Sequence, residues 1–132
     1  MSKCVWKPVL ALSLPHPVQA LKPNGRAHWA QKARAVKKAR AVARMAMRSV
    51  MVQNGVTAAD VRLRGYKLTW WYKGVCPDAD NCLASCKAYL DGCADALGVD
   101  DRMMECLGIE RVHNKALAGT VRLFFDTMED DA

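Results

Sequence analysis

The segment Arg64-Gly65-Tyr66-Lys67-Leu68-Thr69-Trp70-Trp71-Tyr72 decides how the rest of the chain is read. Successive side chains of a strand point to opposite faces. Here Tyr66, Leu68, Trp70 and Tyr72 share one face, and Lys67, Thr69 and Trp71 share the other. The period of two predicts a β-strand. Directly after it comes Cys76-Pro77-Asp78-Ala79-Asp80-Asn81-Cys82, with two carboxylates one residue apart at the strand's C-terminal end. A helix is predicted from Asp80 to Leu97, with Leu83, Cys86, Leu90, Cys93 and Leu97 as its apolar face and Gly98 to end it.

Working outward, Glu105 to Val112 and Thr120 to Phe125 read as two more strands, joined by a turn over His113 to Gly119. Upstream, the apolar run Val9 to Leu14 reads as a strand ended by Pro15 and Pro17. Asn24-Gly25 has turn chemistry. From Ala27 to Gln53 the chain, rich in Ala, Arg, Lys and Met, reads as one long helix, closed by Asn54-Gly55. On that helix Trp29, Ala33, Val36, Ala43, Met47 and Val50 form an apolar stripe. Arg34, Lys37, Lys38, Arg44 and Arg48 lie on a different arc. The order β-α-β-α-β-β predicts an α/β (α+β) fold with a mixed β-sheet, one long basic helix and a second helix.

The chain has 132 residues, enough for one domain around one core. The expected domain spans 1–132, with a core of about 9–126 and a short acidic tail at Glu129 to Asp131. Neither repeats nor low-complexity segments interrupt it. At 52% hydrophobic and 25% charged residues it reads as a soluble globular protein. No apolar run approaches the ~20 residues that span a bilayer, so no membrane association is expected. The N-terminus lacks the apolar run and cleavage site of a secretory signal, which predicts a cytoplasmic protein. The six cysteines should then be reduced. They include no CxxC pair, and Cys82, Cys86 and Cys93 share one helix face, where they are expected as small core residues.

Charge is distributed unevenly. Residues 1–59 hold eleven Lys/Arg and no acid, whereas residues 60–132 hold nine Lys/Arg and all thirteen acids. Solvated helix faces usually mix Glu with Lys for i,i+4 pairing. The absence of interleaved acids on the long helix points instead to a polyanionic partner, with nucleic acid first and an anionic membrane surface second.

The acids invite a cation. Mg²⁺ takes oxygen ligands in a near-octahedral shell, so neighbouring carboxylates offset their repulsion by binding it. The ion can polarise a phosphate oxygen and lower the pKa of a bound water, and a lysine nearby can stabilise the transition-state charge. The bland reading of Asp78 and Asp80 is a helix N-cap and a favourable charge in the first turn. Two acids, after Pro77 and before Asn81, exceed what capping needs. An EF-hand loop is excluded, since the glycine position six residues into the loop from Asp78 holds Leu83. Asp80, Ala84, Lys87 and Asp91 fall on one helical stripe, so Lys87 can lean toward the first acids or toward Asp91. A further pair, Asp100-Asp101, follows the helix. An unbroken helix from Asp80 to Leu97 would be ~27 Å long and hold the two acid pairs apart. A break near Asp91-Gly92 is the expected remedy.

The strings PDADN, KAYLDG and LGVDD, preceded by PNGRAHW and a basic helix, resemble the RusA-type Holliday junction resolvases of bacteria and their phages. The resemblance spans roughly residues 9–126, and its motifs are fairly specific together and weak singly. It implies a small homodimer that cuts four-way DNA junctions with Mg²⁺, with Mn²⁺ as a substitute, in a bacterial cell or phage-infected host. Asp78, Asp80 and Asp101 would be the metal-binding acids, with Asn81, Asp91 and Asp100 as further candidates. The family pattern also uses a lysine on the helix after the first acids. One turn after Asp80 this chain has Ala84, so Lys87 in the next turn takes that assignment.

Two functions are therefore weighed. The first is a Mg²⁺-dependent endodeoxyribonuclease in recombination and repair, with Asp78, Asp80, Asp101 and Lys87 catalytic. Its DNA would be held by Lys22, Asn24, Arg26, His28, Arg34, Lys37, Lys38 and Arg44. The alternative is a non-catalytic basic DNA- or RNA-binding protein whose acids are caps and surface charges.

Overall fold

The alternating segment becomes strand β2 (Leu63–Tyr72), one of the two inner strands of a four-stranded sheet. The structure, a computed structural model, describes residues 10–22, 28–100, 102 and 104–127. Around β2 the chain forms β1 (Leu10–Pro15), α1 (Trp29–Gln53), α2 (Ala79–Ser85), α3 (Lys87–Leu97), β3 (Cys106–His113) and β4 (Thr120–Thr127). Short 3₁₀ turns cover Gln19–Leu21 and Ala58–Asp60. The fold class is the expected mixed α+β, with one helix more than the sequence suggested.

The sheet order is β1-β4-β2-β3. β4 runs antiparallel to both β1 and β2, while β3 is parallel to β2. Parallel neighbours need a crossover connection, and α2 with α3 supplies it. The register sets Tyr66 opposite Cys106 and Tyr72 opposite His113. The segment entering β3 therefore lies at the opposite end of the sheet from the segment leaving β2.

Tyr66, Leu68 and Trp70 are buried, as are Leu10, Leu12 and Leu14 of β1 and Val121, Leu123 and Phe125 of β4. These residues share the sheet face that α1 and α3 cover with Ala39, Ala43, Met47 and Met51 and with Tyr89, Leu90, Cys93 and Leu97. The apolar stripe of α1 is thus narrower and shifted from the predicted one. Trp29, expected within it, is 77% exposed, and Ala33 is exposed too. Among the described residues, the fully buried positions of α1 start only at Ala39, where α3 lies alongside.

The ends of α1 follow the sequence. His28 caps it through Nδ1, which accepts the Ala30 N–H at 3.2 Å. Asn54 closes it by donating from its side chain to the Val50 carbonyl at 2.8 Å. Gly98 ends α3 in the left-handed region at φ 70°, the helix C-terminus that glycine favours.

The predicted single helix from Asp80 is two helices, and the break falls at Cys86 rather than at Asp91-Gly92. Cys86 has φ −92° and ψ 1°, and its N–H donates to Leu83 O at 3.1 Å, a tightened last turn. The bend lets α2 lean on β3 while α3 packs against α1. Gly92 stays helical for a different reason. A Cβ there would run into the Arg40 carbonyl oxygen and the Ala43 methyl, so glycine is what lets the two helix backbones approach.

Cys82, Cys86 and Cys93 are fully buried, as expected, and the five described cysteines are free thiols. Burial disfavours the thiolate, raising Cys82 to about 11 and Cys86 and Cys93 to about 12.

Two outcomes follow from this packing. Gly92→Ala should cost about 1–3 kcal/mol through overpacking, lowering the thermal midpoint by about 4–12 °C. Gly108→Ala, where a Cβ meets nothing within 4 Å, should leave the midpoint unchanged in the same calorimetric scan. In native protein at pH 8, iodoacetamide followed by mass mapping should label the half-buried Cys76 and Cys106, and should reach Cys82, Cys86 and Cys93 only after denaturation.

Candidate nucleic-acid interface and acidic site

The paired acids sit on a pinned loop. Arg111 Nη1 donates to the Pro77 carbonyl at 3.1 Å, and the Cys82 thiol reaches the same oxygen at 3.7 Å. The loop is thereby tied to β3 on one side and to α2 on the other. Asp78 is the N-cap of α2, with Oδ1 accepting the Asn81 N–H at 2.8 Å. Asp80 follows in the first turn, where the helix dipole favours a negative charge. Both carboxylates are exposed, and among the described residues neither has an ion-pair partner. Asp78 therefore keeps one carboxylate oxygen free of the cap.

Lys87 opens α3 and pairs with Asp91 at 3.6 Å, the second of its two predicted directions. Lys87 and Asp91 line a cavity of about 240 Å³ with Tyr66, Leu83, Ala84 and Met104. Asp91 also borders a cavity of about 270 Å³ with Arg40, Asp95 and Asp100. Asp91 is thus the link between the α2–α3 bend and the segment entering β3. Asp100 accepts the Arg102 N–H at 3.0 Å and pairs with the Arg102 guanidinium at 3.0 Å.

Asp101 lies outside the described residues. Its neighbour Asp100 stands with Asp91 and Asp95, beyond the end of α3, and not with Asp78 and Asp80. Among the described residues no three His, Cys, Asp or Glu side chains are grouped as a metal site.

The basic residues divide along α1. In its N-terminal half Arg34, Lys37 and Lys38 are exposed and have no acid within ion-pair distance among the described residues. Further along, Arg40 grips Asp95 with both arms of its guanidinium, at 2.6 and 2.8 Å. That pairing, with the charges of Arg44 and Arg48 behind it, holds the Asp95 carboxyl below its usual range. Arg44, predicted to face phosphate, is half-buried beside α3, and its Nε is shielded without a partner among the described residues. His28 spends Nδ1 on the cap, and Lys22 is half-buried at the end of the first 3₁₀ turn. Asn24 and Arg26 lie outside the described residues.

Some contributors were not visible in the sequence. Arg111 fixes the acidic loop through a side chain thirty-four residues away, and no local pattern announces such a contact. His16 stacks on Trp70, with ring centres 4.0 Å apart. Burial pulls its pKa down, against the backbone carbonyls of Trp71 and Thr120 that draw it up. Its place directly after a strand, between Pro15 and Pro17, was the one available signal.

No family model matches the chain. A protein of Xylella fastidiosa (strain Temecula1), described only as uncharacterized, is 40% identical over 101 residues, covering 73% of this chain. The match spans 63% of that relative's length. Among the described residues no helix is long and apolar enough to cross a membrane.

The Arg40–Asp95 pair gives a pH test. A depressed carboxyl stabilises the fold above its unfolded pKa of about 3.9, and that contribution is lost as pH falls through the lower folded value. Arg40→Ala should thus lower stability by about 0.5–1 kcal/mol at pH 7, the range of an exposed but bidentate pair. In thermal scans the gap from the parent should close as pH falls through the folded value, once Asp95 is protonated in both proteins.

Proposed function

We propose that the chain is a Mg²⁺-dependent endodeoxyribonuclease of the RusA type, acting on four-way junctions and related branched DNA. One observation carries the reading. Two exposed carboxylates, without a cationic partner among the described residues, are pinned on a loop of a chain whose net charge is +7. At the same end of the sheet, the free cations of α1 stand beside Pro15 and His16.

The donor set fits the ion. Mg²⁺ usually keeps several waters and takes only one or two carboxylates together with substrate phosphate oxygens. Asp80 and the free oxygen of Asp78 are hard donors of that kind, and Mn²⁺ suits the same oxygens; Asp101, the third acid that the resemblance implies, lies outside the described residues. The bound ion would supply Lewis acidity and a more acidic water.

The remaining work falls to the chain. Arg34, Lys37 and Lys38 hold phosphates and orient the strand. Water adds to phosphorus as the bond to the departing sugar oxygen breaks, and that oxygen takes up a proton. Lys87, one α2 length from Asp80, offsets charge on the phosphoryl oxygens. A homodimer would present two such sites to the paired strands of a junction.

The non-catalytic reading keeps one observation in its favour, since Asp78 does cap α2. Asp80→Asn separates the two. The variant should bind a four-way junction within about twofold of the parent and lose at least ~10²-fold in Mg²⁺-dependent cleavage. Lys87→Met should lose about 10²-fold. Parent-like cleavage by Asp80→Asn would sink the nuclease assignment.

A further inference from the structure

A cavity of about 480 Å³ lies between the end of β1 and the N-terminal half of α1. It is larger than each of the three cavities that Asp91 borders among the described residues and lies within the size range of small-ligand pockets. Leu21 and Ala39 are its buried apolar residues, and His16 and Tyr89 bring two flat rings. The polar atoms of those rings are already committed or shielded. The Tyr89 hydroxyl donates to the Pro15 carbonyl at 2.9 Å, and His16 Nε2 is closed off from solvent. What they can offer a ligand is ring surface. Burial also keeps the His16 imidazole toward its neutral form, so that surface is not a hydrated cation.

The mouth has the opposite character. Arg34 and Lys38 stand one helical turn apart on α1 and both line the cavity. Like charges at i,i+4 repel, and among the described residues no acid relieves this pair. Val18 and Val42 also line the cavity, 58% and 41% exposed. A ligand that satisfies all of this has a flat body for the interior and an anion for the rim.

From this chemistry we infer that the cavity takes one unpaired nucleotide, its base inside and its phosphate on Arg34 and Lys38. The inference rests on the DNA-binding part of the proposed function and deepens it. Every base has a π-face that aromatic side chains can stack on. A base paired and stacked within a duplex cannot enter, whereas one left unpaired at a branch point can. The cavity opens at Pro15, on the first strand of the sheet. The acidic loop leaves the same end of the sheet from β2, two strands away, and is tied to β3 beyond it. A nucleotide held here would fix the strand relative to Asp78 and Asp80, and selectivity for branched DNA would come from unpaired bases and not from a base sequence.

The test uses the full chain in EDTA, so that DNA stays intact, and reads fluorescence anisotropy. Four probes are compared: a junction with unpaired nucleotides at its branch point, the same junction with those nucleotides abasic, a fully paired duplex, and free dAMP. The parent should bind the first junction about tenfold more tightly than the abasic one. Val42→Trp, which fills the mouth from an exposed helix position, should bring the first junction down to the abasic level and leave duplex binding unchanged. Val18→Trp should repeat the result from the other side of the mouth. Equal affinity of the parent for the two junctions would overturn the inference. So would a loss in Val42→Trp that extends equally to the duplex. Binding of dAMP as tight as that of the junction would assign the cavity to free nucleotides and overturn its role in DNA recognition. Failure of the parent to bind any DNA would instead sink the proposed function itself.

Discussion

The contact between α1 and α3 at Gly92 governs the architecture. Two helices can lie this close only where one of them has no side chain, and here the missing group is a Cβ that the Arg40 carbonyl and Ala43 would otherwise meet. Close approach seals the face of β2 that carries Tyr66, Leu68 and Trp70. It also brings Asp95 within reach of Arg40, so that the middle of the basic helix finds a counter-charge within the protein. The N-terminal half extends past α3 and keeps its cations for something else. One packing constraint thus separates Arg40, which is paired, from Arg34, Lys37 and Lys38, which have no ion pair among the described residues.

The parallel pairing of β2 with β3 sets the chemistry in a similar way. A parallel pair forces the chain to travel back along the sheet before the next strand begins. Asp78 and Asp80 precede that journey and Asp100 follows it, so they belong to opposite ends. The bend at Cys86 and the pairing of Lys87 with Asp91 lie between them. Asp91, which borders cavities on both sides, is the acid best placed to connect the two regions.

Much of this was legible in the residues. The alternation over Tyr66 to Trp70, the Asn54-Gly55 and Gly98 helix ends and the buried cysteine face all appear where local pattern predicted them. What pattern could not reveal was tertiary. Trp29 belongs to an apolar stripe by angle but stays exposed at its end of the helix, beside the His28 ring. Gly92 suggested a break because glycine weakens an isolated helix, yet packing against Arg40 turned the same glycine into a contact. Cys86, a residue with no helix-breaking chemistry, marks the true bend because α2 and α3 pack on different neighbours. Arg44 reads as a phosphate ligand in one dimension and as a neighbour of Asp95 in three. For the acids, the sequence displayed the pair at Asp78 and Asp80 clearly, while the position of Asp100 depended on sheet topology that no motif encodes.

The Pro77 carbonyl receives both Arg111 and Cys82, and this has an energetic meaning for the residues beside it. Mutually repelling side chains on a free loop would swing apart and would have to be gathered again by any cation or donor that met them. A loop fastened at one carbonyl to a strand and a helix surrenders that freedom when the chain folds. The cost of crowding two negative charges is then carried by the stability of the whole domain, and the backbone that carries Asp78 and Asp80 is held in place before anything meets them. That anchoring comes in part from a guanidinium on the edge strand that touches neither acid.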